Sequence, residues 1–433
     1  MPQELIQLDA NKRLIRIALI VLIVFASLWS YFAFRWYIGN TMAEYFNTGD
    51  NSLDLAQVAQ NLAPNDPITS WRLAEVSQKR LPLDQSAVAL SQFEKAVGLS
   101  PNDYRFWLAL GIAREQAGDT SGGEQALRRA VALAPSYANP RWHLGNLLLR
   151  TGRYDEAFAE LRSASEADPE NLRSQMFNLV WEVNNTDFES LVKGVGAKSE
   201  SRAQFALYLL GYHIDEGLRM WNSLNAYEKK ANKPTGDQIL TTLITRGRFH
   251  DAMILWNDLV PVQLYRVEEG KITDGGFEDQ ISYTPDFAFA WQVRSVGQME
   301  IGIDPAISHS GTRSLRLVFQ VRSQLDAIQA GQIVPVAKNT EYEFECYIKT
   351  NKLQTGGPPI IHIVDLNGGV LLASSDPAPS GDTDWSRIGL PFKTSDKTEA
   401  IAIGISRAAC EDKTMCPIFG TIWYDDFSLK RRN

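Results

Sequence analysis

Histidine and cysteine are scarce in this chain, five and three among 433 residues, and their scarcity removes most reaction chemistries at the outset. The histidines, His143, His213, His250, His309 and His362, stand singly, and no two fall at the H-E-x-x-H spacing that holds a catalytic metal. A G-x-S-x-G elbow, a Walker loop and a dinucleotide fingerprint are all missing, so the sequence offers no activated nucleophile and no phosphate cradle. The Gly-Gly pairs after Asp274 and Asn367 read as turns, where glycine supplies a positive φ. Long Lys/Arg runs are absent too, and with a formal net charge of −8 the chain lacks the basic surface that nucleic acid requires. The expectation is a protein that is not an enzyme and has no nucleic-acid partner.

Charge is also missing from residues 17–34, IALIVLIVFASLWSYFAF, a run of 18 that crosses a hydrocarbon core of roughly 30 Å with help from its flanks. Lys12, Arg13 and Arg16 precede the run, and Trp29, Tyr31, Trp36 and Tyr37 crowd its far end as an interfacial aromatic belt would. This predicts a cytoplasmic tail over 1–13 and a single-pass transmembrane anchor over 14–38, with the bulk of the chain periplasmic at a bacterial inner membrane. A cleaved leader is the competing reading, but bulky residues stand where a signal peptidase needs small ones. In such an oxidising compartment Cys410 and Cys416, separated by EDKTM, are placed to close a short disulfide, with packed free thiols as the alternative. Cys346 reads as a small core residue of a strand.

Between residues 50 and 260 the chain is Ala-rich and helical in period, and it repeats. Pro67, Pro101, Pro135 and Pro169 stand 34 residues apart, and Gly111/Gly145, Leu110/Leu144, Gly118/Gly152, Leu127/Leu161 and Ala96/Ala130/Ala164 keep the same spacing. Trp107-x2-Leu110-Gly111, Gly123-x3-Leu127 and Pro135 resemble the tetratricopeptide repeat, as do Leu144-Gly145, Ala157-x3-Leu161, Pro169 and the earlier Ala89-x3-Phe93, Pro101. Small residues let paired helices approach, the large residue four later plugs the groove, and proline ends each second helix. Arg141 departs from the pattern where Trp107 predicts an aromatic, and Ser77 stands where glycine is expected. Repeats are placed at 50–170, followed by degenerate helical hairpins over 171–260, in which Gly217-x3-Trp221 and Ala252-x3-Trp256 keep the second-helix signature.

Repeats of this family commonly bind extended peptides on a concave face, which the resemblance places at Arg105, Leu108, Ile112, Glu115, Asn139, Trp142, Asn146 and Arg150. Trp142, Asn146 and Arg150 share one helix face, which reads either as a surface for a protein partner or as packing and solvated polar groups.

Near Pro261 the texture turns to alternating β-branched and aromatic runs, SLRLVFQV, EYEFECYIKT, PIIHIVDL, AIAIGIS and GTIWYDDFSL, divided by turn-rich pieces. Over 261–433 this predicts an antiparallel two-sheet sandwich. DGGFE at 274–278, Trp291, SGTRSL at 310–315, NTEYEFECYIKT from Asn339, DTDWSRIGLPFKT from Asp382 and WYDDFSL from Trp423 together resemble the carbohydrate-binding-module jelly rolls attached to xylanases. That resemblance implies a structural calcium at Glu278 with Asp425 or Asp426, and sugar stacking on Tyr283, Phe287, Trp291 or Trp423. Core packing is the competing role for Trp291 and Trp423, and is expected for Trp385 and Phe392.

The fold class expected is therefore multidomain α + β: a transmembrane helix, an α-solenoid and a C-terminal jelly roll. The functional expectation is a membrane-anchored scaffold with a protein partner on its repeats and a polysaccharide or second protein on its sandwich, in cell-envelope or exopolysaccharide assembly. A glycan-degrading or glycan-modifying enzyme is the alternative.

Overall fold

The computed structural model describes residues 13–45, 52–79, 84–185, 187–260, 266–279, 288–294, 299–321, 328–410 and 416–432. These fall into two compact units, 1–197 and 198–433.

The first unit opens with α1 (Arg13–Tyr45), a 33-residue helix. Its apolar window has a mean hydropathy of 2.4 and no buried residue, so this part is not covered by the described protein. Its last turns do. Gly39 and Ala43 are buried against α2 (Ser52–Leu62) and α3 (Pro67–Lys79), and a Cβ at Gly39 would lie 2.8 Å from both Ala59 O and Ala63 Cβ. Asn40 Nδ2 donates to Asp66 Oδ2 at 2.8 Å, and Arg72 Nε donates to Ala43 O at 2.7 Å.

Helical hairpins follow: α3 pairs with α4 (Asp84–Leu99), α5 (Tyr104–Gln116) with α6 (Thr120–Leu133), and α7 (Ala138–Arg150) with α8 (Tyr154–Ala167). Then come α9 (Pro169–Asn184) and α10 (Phe188–Val195). The pairing rests on a repeated contact. A Cβ at Gly111 would stand 2.7 Å from Leu127 Cγ and 3.1 Å from Gly123 O; at Gly145 it would stand 2.7 Å from Leu161 Cγ and 3.1 Å from Ala157 O. Only glycine lets the two backbones close on the plugging leucine, which is fully buried in both hairpins. Gly118 (φ 88°) and Gly152 (φ 75°) make the left-handed turn between paired helices. Arg141, the departure from the expected aromatic, does what Trp107 does: Trp107 Nε1 donates to Pro101 O at 2.8 Å, and Arg141 Nε donates to Pro135 O at 2.9 Å.

In the second unit α11 (Ser199–Leu210), α12 (Ile214–Asn222), α13 (Ala226–Ala231), α14 (Lys233–Thr245) and α15 (Phe249–Leu259) group with the β-structure rather than with the repeats. The sequence boundary at 261 therefore falls inside a compact unit, for reasons visible in α15. Asn257 brackets the backbone of Val267 with two hydrogen bonds of 2.9 and 3.0 Å, Trp256 meets Phe289 edge to face, and His250 Nε2 lies 2.9 Å from Glu269 Oε2. Trp221 and Ala252, the second-helix positions read from the pattern, are fully buried.

Among the described residues, two antiparallel five-stranded sheets form the sandwich. One has the order β1 (Gln292–Arg294), β4 (Gln329–Pro335), β9 (Ala400–Arg407), β6 (Pro359–Asp365), β7 (Val370–Ser374). The other runs β2 (Met299–Asp304), β3 (Ser314–Val321), β10 (Ile418–Arg431), β5 (Glu341–Thr355), β8 (Gly381–Lys393). Alternation along β3, β5 and β6 turns Leu315, Leu317, Phe319, Phe344, Cys346, Ile361 and Ile363 inward to one core. Phe392 joins that core, but Trp385 does not: it is half-buried and edge-on to His309, because it shares the outer face of its sheet with Tyr347 of β5, on which His309 stacks.

A substitution pair tests the helix contact. Gly145→Val should lower unfolding stability by about 1–3 kcal/mol through overpacking against Leu161. Gly98→Ala, in open space on α4, should raise it by roughly 0.5–1 kcal/mol. Chemical denaturation followed by circular dichroism reads both.

Candidate functional site

On the repeats, the residues expected to face a partner lie along α5 and α7. Asp103 caps α5, accepting from Arg105 N at 3.0 Å and holding the Arg105 guanidinium at 2.6 Å, which pulls the Asp103 carboxyl below its usual range. Leu108 and Ile112 pack against the buried cluster of Leu127, Leu144, Leu147 and Leu148, so they join helices and offer little to a ligand. Glu115 and Arg150 bond each other across α5 and α7, Nε to Oε1 at 2.8 Å. Asn146 Nδ2 folds back onto Trp142 O at 2.8 Å. Asn139 is exposed and Trp142 half-buried. His143 beside them is held neutral by burial, which pushes its pKa down. The face is therefore cross-linked by its own charges, with Trp142 and Asn139 as its open part. Two features escape a reading of the sequence: Tyr104 and Tyr137, successive in the stack, lie 5.0 Å apart between ring centroids, and a cleft of about 410 Å³ opens beside Arg153, Tyr154, Asn184 and Lys193.

In the sandwich, two of the expected sugar platforms are corrected. Trp291 is 3% exposed, wedged between Phe277 and Phe427 with its indole N–H on Asp274 O at 3.0 Å. Trp423 is 7% exposed and donates to Asp304 Oδ2 at 2.8 Å. A pyranose needs an open ring face, and neither has one. Tyr283 and Phe287 lie outside the described residues.

The expected metal acids do come together, around the 308–313 loop. Glu278 accepts from Thr312 N at 2.7 Å, Thr312 Oγ1 at 2.6 Å and Arg313 N at 3.1 Å, and these bonds, the Thr312 hydroxyl first, lower its pKa. Asp425 is buried, which raises its pKa although His309 N, Ser310 N and Asp426 N all donate to it. Asp426, in the left-handed region at φ 53° within the β10 bulge, takes Ser310 Oγ and His309 Nδ1 at 2.6 Å each. A Cβ at Gly276 would lie 3.9 Å from both Asp425 Oδ1 and Asp426 Oδ1 and 3.8 Å from Glu278 Cγ, so glycine keeps open the space the three acids surround. Their hard oxygens suit calcium, but each acid is turned onto loop donors, and among the described residues no three His, Cys, Asp or Glu side chains are arranged as a metal cage. Cys410 and Cys416 are bonded, with Cα atoms 5.9 Å apart, and Cys346 is a buried free thiol.

The outer face of the β1-β4-β9-β6-β7 sheet carries a groove of about 320 Å³ lined by Gln292, Ile328, Gly331, Gln332, Ile333, His362, Ala402, Gly404 and Ile405. The His362 ring lies over Gly404, where a Cβ would come within 2.5 Å of Nε2. Burial lowers the His362 pKa, so the ring is neutral, and its Nδ1 is buried with no protein partner among the described residues. Gln332 is committed to Thr273 through both amide atoms, at 3.0 and 2.8 Å. Apart from the imidazole, the groove has no aromatic ring among the described residues.

Two tetratricopeptide-repeat family models match, over residues 83–138 and 115–177, and this stretch consists of such repeats. Over 138 residues, 31% of this chain, the sequence is 28% identical to the peroxisomal targeting signal receptor of Saccharomyces cerevisiae, of which it spans 22%. Among solved structures, MamA is similar at 15% identity and a TM-score of 0.29, covering 50% of this chain and 95% of its own. The CBM22-1 xylan-binding domain from Paenibacillus barcinonensis Xyn10C is similar at 12% identity and a TM-score of 0.26, covering 39% and 97%.

The pKa directions fix an acid response. Glu278, whose folded pKa is depressed, contributes stability that is present above its unfolded pKa and is lost as pH falls through the folded value. Glu278→Gln should therefore lower the Tm at pH 7, and the gap to the wild type should close below about pH 4. Thermal scans at several pH values read it.

Proposed function

We propose that the chain is a membrane-anchored binding scaffold, with a protein partner on its tetratricopeptide repeats and a glycan or second protein on its sandwich, serving cell-envelope or exopolysaccharide assembly at a bacterial inner membrane. The observation that carries the anchor is the continuity of α1: its bare apolar turns run without a break into turns packed on α2 and α3 through Gly39 and Ala43. A leader removed by peptidase would strip α2 of its neighbour, exposing Ala59 and Ala63. In support of binding, Trp142, Asn139, the Tyr104/Tyr137 pair and the His362 groove stay accessible as surfaces, while Glu115 and Arg150 are spent on each other. The order of the jelly-roll motifs along the sequence favours a glycan on the sandwich. A structural calcium at Glu278, Asp425 and Asp426 is proposed from the jelly-roll resemblance and their all-oxygen chemistry; to bind it the acids would have to turn from the loop donors that now hold them. The acids would hold the ion, whose charge would relieve the burial of Asp425.

The full chain in detergent, passed over a panel of immobilised polysaccharides, should be retained without release of reducing ends. Ile333→Arg in the groove should abolish retention; release of reducing ends would favour the glycan-degrading enzyme instead. Millimolar calcium should raise the Tm of the wild type and not of Asp425→Asn. Gly39→Leu should lower the stability of the α1–α2 packing by about 1–3 kcal/mol, and carbonate washing of membranes should leave the wild type in the pellet at its uncleaved mass.

A further inference from the structure

Arg407, at the end of β9, is half-buried and makes only neutral contacts. Its Nε donates to Gly357 O at 2.9 Å, Nη1 to Cys416 O at 2.9 Å, and Nη2 to Thr355 Oγ1 at 3.0 Å and to Pro417 O at 3.5 Å. Nη2 also lies 3.9 Å from Cys410 Sγ. Among the described residues no carboxylate pairs with it, whereas Arg128, Arg141, Arg150, Arg153 and Arg248 each hold one. Burial accordingly pushes its pKa down, the mark of a cation short of counter-charge. On the other side, Gly357 closes on the disulfide so tightly that a Cβ there would lie 2.7 Å from Cys410 Sγ and 3.1 Å from Cys416 Sγ.

We propose that the Cys410–Cys416 bond is a site of thiol–disulfide exchange, and that Arg407 holds the Cys410 thiolate formed on reduction. A dithiol reductant transfers two electrons: the S–S bond breaks, the reductant's own S–S bond forms, Cys416 leaves as a thiol, Cys410 as a thiolate, and one proton goes to solvent. Reduction thus gives the guanidinium an anion, which it lacks among the described residues of the oxidised protein. A thiolate so paired lies below the ordinary free-thiol value of about 8.5 and leaves more readily. Cys346 is the internal contrast, since it is fully buried and its pKa is pushed up, first by burial and then by the charge of Glu345. The bond is then a reversible fastener of the segment between β9 and β10, one that a reducing compartment or a dithiol partner opens.

The test uses the full chain. In Cys416→Ser, the rate of iodoacetamide alkylation of Cys410 is followed against pH by peptide mass spectrometry, with Arg407 intact, as Arg407→Lys and as Arg407→Gln. With Arg407 or Lys the profile should turn below pH 8, and alkylation at pH 7 should be about tenfold faster than with Gln. In otherwise wild-type chain, Arg407→Gln should make the disulfide about tenfold harder to reduce in dithiothreitol titrations, about 30 mV. A Cys410 profile turning at or above pH 8.5 with Arg407 intact overturns the proposal, whether or not the Gln variant folds. So does a profile indifferent to the residue at 407.

Discussion

The distance between paired helices in the repeat array is set at Gly111 and Gly145, where any side chain would run into a leucine that is itself without room. With backbone against backbone, the leucine one turn beyond the small residue fills the groove, and the hairpin becomes a unit that must stack on another to cover its remaining apolar side. The turn glycines, the buried alanines of α6 and α8 and the hydrogen bonds to the proline carbonyls all serve that approach. Ion pairs then fasten one hairpin to the next at the surface: Arg153 with Glu124, Arg128 with Glu156, Arg150 with Glu115. Being exposed, such pairs add little stability each, and their effect is to fix register between neighbours.

In the sandwich the equivalent constraint is a loop stapled to a strand. Residues 308–313 lie across the start and end of the domain because Glu278 and the Asp425–Asp426 bulge present carboxylates to their N–H and O–H groups. His309 completes the staple by stacking on Tyr347, with ring centroids 3.7 Å apart. Carboxylates from distant positions are reconciled here by donors of the chain itself.

What could be read in advance follows from periodicity. The repeats were legible because helix pairing forces small and large residues to recur at one interval, and Gly111 and Gly145 carry that signal unambiguously. The strands were legible from alternation, and the acids at 278, 425 and 426 from motif order. Individual aromatics were not. Trp423 sits on an outward position yet is covered, while Trp385 reads as inward and is half-open, because alternation gives a face but not what lies over it. That the last helices group with the β-structure was not legible for a similar reason: Asn257 and His250 look like any polar helix residues until their partners 10 and 19 positions on are known. The His362 groove arises from Gly331 and Gly404, whose small size on neighbouring strands becomes visible only once the register is set.

Because α1 reaches Gly39 without a turn or linker, the bare stretch and the first hairpin share one helical phase. A residue added ahead of Gly39 would swing everything before it by about 100° and lift it by about 1.5 Å relative to the array. The helix acts as a crankshaft with no universal joint, so the compass bearing of the repeat array is written in the residue count of α1.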